Sequence, residues 1–121
     1  MSYDDNNIFA KILRGEIPCK KIYEDDFVLS FYDANPQKKI HALVIPKGKY
    51  IDLDDFSKNA SSDEMVGLLK GINAVAKKLG ISTDTGKGYR TLANISEHGG
   101  QEVPHFHFHL FGGERVGKMV E

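Results

Sequence analysis

One cysteine, Cys19, stands in 121 residues. A lone thiol excludes an intrachain disulfide framework and fits a reducing compartment, so a cytoplasmic setting is expected. A surplus of charge of either sign is missing too: sixteen basic residues against seventeen acidic ones leave a net charge of −1. A chain that coats nucleic acid usually carries a basic excess, so no nucleic-acid partner is expected. No apolar run approaches the roughly 20 residues of a membrane span, so no membrane partner is expected either. Met1 to Asn7 is polar and acidic, unlike a signal peptide or a basic transit sequence. Repeats, low-complexity tracts and linkers rich in Pro, Gly or Ser are lacking. What remains fits one domain over residues 1–121, with short polar tails at 1–7 and 114–121. Hydrophobic residues at 40% and charged residues at 27% support a packed core rather than disorder.

Periodicity divides the chain into elements. Ile8, Phe9, Ile12 and Leu13 share the apolar side of a short helix over Ile8 to Arg14, stopped by Gly15. Lys21 to Glu24 and Phe27 to Tyr32, joined by Asp25-Asp26, read as a hairpin. His41 to Ile45, bounded by Pro46, reads as a central strand. A long helix is predicted over about Ser62 to Leu79. Ser61 and Glu64 form a capping-box pair at its start, and Gly80 stops it. Its core stripe is Met65, Leu68, Leu69, Ile72, Val75, Ala76 and Leu79. Tyr89 to Ile95 and Pro104 to Phe111 read as the last strands, with Ser96 to Glu102 as the loop between them. The class is α+β: a mainly antiparallel five-stranded sheet with one long and one short helix.

Three of the five histidines fall in the run His105-Phe106-His107-Phe108-His109. In a strand, alternate side chains share a face, so the three imidazoles point one way while Phe106, Phe108 and Leu110 point into a core. Surface or satisfied core histidines are the default for a lone residue. Strict alternation backed by large apolar residues argues for a job. One such job is metal ligation, since two imidazoles on one strand face can converge on zinc, and His41 or His98 could add a ligand. Another is nucleophilic catalysis at phosphorus, because imidazole titrates near pH 6.5 and is largely neutral at physiological pH. Gly99-Gly100-Gln101 just upstream favours phosphorus: two glycines can turn backbone N–H groups toward an anion, although a plain turn is the simpler reading of the pair.

The run Gly99-Gly100-Gln101-Glu102-Val103 followed by His105-Phe106-His107-Phe108-His109-Leu110-Phe111 resembles the histidine-triad (HIT) signature. Gly112-Gly113 resembles its Hint branch, the purine nucleoside phosphoramidases. Ile8 to Ile12 with Gly15 to Pro18, Phe31 to Asp33, Pro36-Gln37 and His41 to Lys47 resemble the branch's upstream blocks. The resemblance implies a HIT-like fold whose sheets join across a homodimer. It implies hydrolysis of the P–N bond of purine nucleoside 5′-phosphoramidates (AMP or GMP type) without cofactor or metal. His107 would be the nucleophile, His109 the phosphate contact and leaving-group partner, and His105 and His41 the supporting imidazoles. Asp33 would accept the ribose hydroxyls. Asn94, Gly100 and Gln101 would border the phosphate. Phe9, Ile12, Ile17, Ala34 and Val103 would line the base cleft. Without the family, Phe9, Ile12 and Ile17 read as plain core and Asp33 as a turn residue. Pro104, Glu102, Ala34 and a tail without tryptophan depart from common family residues. The rival activities are dinucleoside polyphosphate hydrolysis of the Fhit type and a zinc- or nucleotide-binding module without turnover.

Overall fold

The polar start of the chain runs into α1, Ile8–Leu13, because Asn7 caps it: its side-chain oxygen accepts the Ala10 N–H. In the computed structural model, which describes residues 2–120, five strands then form one sheet in the order β1-β2-β3-β5-β4. They are β1 (Lys21–Glu24), β2 (Val28–Tyr32), β3 (Ile40–Pro46), β4 (Arg90–Leu92) and β5 (Phe108–Gly112), and every pairing is antiparallel. The β1–β2 hairpin turns as its sequence suggests, with one Asp25 carboxylate oxygen accepting the N–H groups of Phe27 and Val28. No helix of the described residues is long and apolar enough to cross a membrane.

Two helices join the predicted pair. Leu53–Asn59 is α2, capped by Asp52, and Ser96–Gly99 is α4, a single turn inside the expected loop. The long helix, α3, spans Ser62–Lys78 and carries the complete Ser61/Glu64 capping box. Its core face follows the predicted stripe except at Leu69, with Met65 and Leu79 packed at its ends. Gly67, Leu68, Gly71, Ile72, Val75 and Ala76 are buried, whereas Leu69 is 68% exposed. The reason is close approach. A Cβ on Gly67 would sit 2.4 Å from the Phe27 ring and one on Gly71 2.7 Å from Val28. These two glycines let α3 lie directly on the β1–β2 hairpin, which turns Leu69 outward.

The sheet divides the core by residue parity. Val28, Ala42, Val44, Phe106 and Leu110 face α3 with Phe56 of α2. Leu29, Phe31, Leu43 and Ile45 face the other way, under Phe9 of α1. His41, His107 and His109 lie on that second face. Ring contacts tie Phe9 to His107 and His41 to His109, with centroids 5.0 and 5.2 Å apart.

The last strand begins at Phe108, not at Pro104. Pairing of Val44 with Phe108 would place Pro46 opposite Phe106 if the ladder continued. Pro46 has no N–H to give, and its carbonyl is taken by the His105 ring at 2.8 Å. The Phe106 N–H bonds instead to the Tyr50 carbonyl at 2.8 Å. The chain bends at Val103 to His105 and joins the ladder only at Phe108, yet the side chains of residues 106 to 110 still alternate between the two faces. The other expected strand, Tyr89 to Ile95, contracts to the three residues of β4.

Candidate active site

Four imidazoles meet on the α1 side of the sheet. His41 is 2% exposed, His105 0% and His107 6%, and His109 is half-buried. Burial disfavours the charged form of each ring and lowers its pKa, to about 4 for His105 and His109. In His109 the neighbouring His107 and His41 lower it further. Neutral rings each carry one N–H, so the hydrogen-bond partners decide where it sits.

Those partners settle the pattern. His107 Nδ1 lies 2.7 Å from the His105 carbonyl, which can only accept, so Nδ1 holds the proton and Nε2 keeps a free lone pair. His41 Nδ1 accepts the Gln37 N–H at 3.2 Å, so the His41 proton is on Nε2. That Nε2 donates to His109 Nδ1 at 2.9 Å, which puts the His109 proton on its own Nε2. The His107 and His109 ring centroids stand 5.1 Å apart. One ring therefore offers a nucleophilic nitrogen and its neighbour offers an N–H. Asp33 Oδ2 approaches His41 Nε2 at 3.5 Å, while Oδ1 accepts the Asn35 N–H at 2.8 Å. Asp33 thus makes the turn before Pro36 and also faces the imidazole chain.

Among the described residues, Asp33, His41 and His109 present ligand atoms within 4.8 Å of one another. They are the residues that could hold a metal. A metal there would compete for the lone pair of His109 Nδ1 that accepts the proton of His41.

Other expected site residues fall less simply. Gly99, Gly100 and Gln101 do not form an open cradle of N–H groups. Their amides donate to the carbonyls of Ile95, Glu97 and Ser96, closing α4, with Gly100 at φ 74° as its left-handed cap. The Gln101 side chain is also engaged. Its Nε2 donates to the carbonyls of Ile51 and Val103, and its Oε1 accepts the Ser96 N–H. Gln101 therefore braces the loop with groups expected to meet phosphate. Asn94 is half-buried beside Gly99, and its backbone would lie 3.5 Å from a Cβ there. Phe9 is buried, edge-on to Phe31 and His107, with Ile12 and Val103 packed on the same cluster. It belongs to the core and also touches the His107 ring. Ile17 is half-buried and Ala34 exposed.

One contact escapes the sequence altogether. The Tyr3 hydroxyl lies 2.6 Å from His105 Nδ1, so the polar tail reaches the triad. The only trace of this in the sequence is a single aromatic residue in an otherwise polar, acidic stretch.

The buried rings set an acid limit on folding. The ordinary imidazole value is 6.5, and His105 sits near 4 when folded. Between those values the unfolded chain binds a proton that the folded one refuses, so stability falls as pH drops through the window and is flat above it. The loss reaches about 3 kcal/mol for His105 alone. Denaturant midpoints measured from pH 7.5 to 4 should fall accordingly. A midpoint constant down to pH 5 would contradict the neutral buried rings. A second fall, between 4.5 and about 2, belongs to Glu24, which Lys47 and Lys21 hold ionised.

Comparison with known proteins identifies the family. A HIT domain family model matches residues 14–116. The chain is 51% identical over 98% of its length to an uncharacterized 13.2 kDa HIT-like protein of Azospirillum brasilense, covering 95% of that protein. It is 40% identical over 96% of its length to the purine nucleoside phosphoramidase of Escherichia coli K12, covering 94% of that enzyme. Among solved structures, a HIT family hydrolase from Clostridium thermocellum superposes with a TM-score of 0.85 at 35% identity, over 98% of this chain and 99% of that one. A histidine triad protein from Clostridium difficile gives 0.81 at 40% identity, over 98% of both chains. With a family model spanning most of its length and a fold shared at such identity, the chain belongs to the HIT family, as one of its hydrolases.

Proposed function

We propose that the chain hydrolyses the P–N bond of purine nucleoside 5′-phosphoramidates through a nucleotidyl-His107 intermediate. The observation that carries this reading is the hydrogen bond from His107 Nδ1 to the His105 carbonyl, at 2.7 Å. It leaves Nε2 as an unprotonated nucleophile on a neutral ring. In the first step the bond from His107 Nε2 to the α-phosphorus forms as the P–N bond breaks. His109, protonated on Nε2, gives that proton to the departing amine. In the second step water attacks phosphorus, the P–Nε2 bond to His107 breaks with its electron pair returning to Nε2, and the nucleoside monophosphate leaves. The proton the water sheds returns to His109. His41 keeps His109 in the donor tautomer, Asp33 accepts the ribose hydroxyls, and Phe9, Ile12 and Val103 supply the apolar wall for the base. The Escherichia coli relative named for this activity supports the substrate class. The reading includes a cytoplasmic homodimer built through a free sheet edge, and β1 and β4 end the strand order.

The test sets adenosine 5′-phosphoramidate beside a diadenosine polyphosphate, each with and without chelator. The expected kcat/KM ratio favours the phosphoramidate by at least about 100-fold, or about 2.7 kcal/mol in transition-state binding, and chelator changes neither value. A ratio reversed by that factor would assign the Fhit-type activity. No turnover on either substrate, with stoichiometric zinc whose removal unfolds the chain, would assign a binding module at Asp33, His41 and His109.

A further inference from the structure

We propose that Tyr3 is a positioning residue: its hydroxyl holds His105 in one tautomer and orientation, and through the His105 carbonyl it aligns the His107 ring. The proposal rests on the reading of His107 as nucleophile.

Two contacts clamp the His105 ring. Nε2 lies 2.8 Å from the Pro46 carbonyl and Nδ1 lies 2.6 Å from Tyr3 Oη. A carbonyl only accepts, so the ring proton is on Nε2. Nδ1 of the neutral ring is then a bare acceptor, and the tyrosine hydroxyl is its donor. The phenol ring also stands edge-on to His105, with centroids 5.6 Å apart at 74°. The clamp matters beyond one ring because the carbonyl of His105 accepts the His107 Nδ1–H at 2.7 Å. Fixing the side chain of residue 105 fixes the peptide that orients the neighbouring imidazole. His105 is 0% exposed, so no solvent replaces the hydroxyl once it is removed.

The tail is built to deliver this group. The Asn7 N–H and side-chain amide both donate to the Asp4 carbonyl, closing a tight turn before α1. The Asp5 carboxylate pairs with Lys49 at 2.8 Å, and Arg14 donates to the Asp5 carbonyl at 2.8 Å. The two ends of α1, Asn7 and Arg14, and the distant Lys49 thus hold the residues on the C-terminal side of Tyr3.

Nitrogen NMR of the histidine rings tests the arrangement directly. In the wild-type protein His105 should read as the Nε2–H tautomer with a hydrogen-bonded Nδ1. An Nδ1–H reading overturns the donor role of Tyr3. Tyr3→Phe deletes only the oxygen and keeps the edge contact. Its His105 Nδ1 signal should move toward that of a free acceptor nitrogen, and the His107 signals should broaden or shift. Its kcat should fall about tenfold with KM within about twofold. Its melting temperature should fall by several degrees, as for one buried acceptor losing its donor, yet the protein stays folded at the assay temperature, so unfolding does not account for the tenfold loss in kcat. Unchanged ring signals, or wild-type kcat, overturn the proposal. His107→Ala is assayed alongside: if it is inactive while Tyr3→Phe turns over normally, the positioning role alone falls. If His107→Ala itself turns over normally, the nucleophile reading falls and carries the proposal with it.

Discussion

His107→Ala should lower kcat/KM on adenosine 5′-phosphoramidate by about 10⁴-fold or more. The magnitude follows from the loss of the covalent route, which splits one displacement into two easier ones. No other group replaces it. His109 Nδ1 accepts the His41 proton and its Nε2 carries one, and both ring nitrogens of His105 are bound, to Pro46 and Tyr3. Of the four clustered rings, His107 is the one whose Nε2 keeps a free lone pair with no partner among the described residues. His109→Ala removes a proton donor rather than the nucleophile and should cost less, about 10²- to 10³-fold. Rapid quenching of the wild-type enzyme should trap a nucleotidyl adduct on the peptide containing His107, read by mass spectrometry. An adduct on another residue, or wild-type turnover by His107→Ala, would end the mechanism.

Phe106→Ala should destabilise the fold by about 3–5 kcal/mol, a large share of the 5–15 kcal/mol typical of a small domain. Phe106 is 1% exposed and packs on Phe56 and Phe108, with ring centroids 5.2 and 5.4 Å away. Truncation leaves a ring-sized void between the sheet and helices α2 and α3, in a cluster with little freedom to collapse. The same residue joins His105 to His107, so the void loosens the backbone that spaces the two imidazoles. Activity should therefore fall as well, before the midpoint of unfolding is reached. Phe106→Leu retains most of the volume and should cost less than half as much. A denaturant midpoint for Phe106→Ala within about 0.5 kcal/mol of wild type would show that this side of the sheet is not the main core.

The triad is legible because the alternation of its side chains outlasts the ladder. His105 and His107 lie outside β5, yet they share a face with His109 and turn Phe106 and Leu110 the other way. Local signals likewise gave the capping box of α3 and the turn at Asp25, since each involves groups a few residues apart. The face of α3 was misjudged at Leu69 because hydrophobic spacing ignores how closely a glycine lets two backbones approach. Of the two readings open for Gly99-Gly100, an anion cradle and a plain turn, the fold takes the turn: one turn of helix consumes the amides. Helix α2 leaves little trace in the sequence although Asp52 caps it, because seven residues around a single buried aromatic, Phe56, carry little periodicity.

Residue types and their spacing sufficed to establish a five-stranded sheet with three imidazoles on one face backed by aromatics on the other. They also established the family to which that pattern belongs. Which nitrogen of each ring carries its proton was decided only in three dimensions. For His107 and His41 the deciding partners are local, the His105 carbonyl and the Gln37 N–H, but for the other two rings they lie far along the chain: Pro46 and Tyr3 for His105, and His41 for His109. A tautomer is set by what stands opposite each nitrogen, and only the folded sheet brings those groups within hydrogen-bond reach.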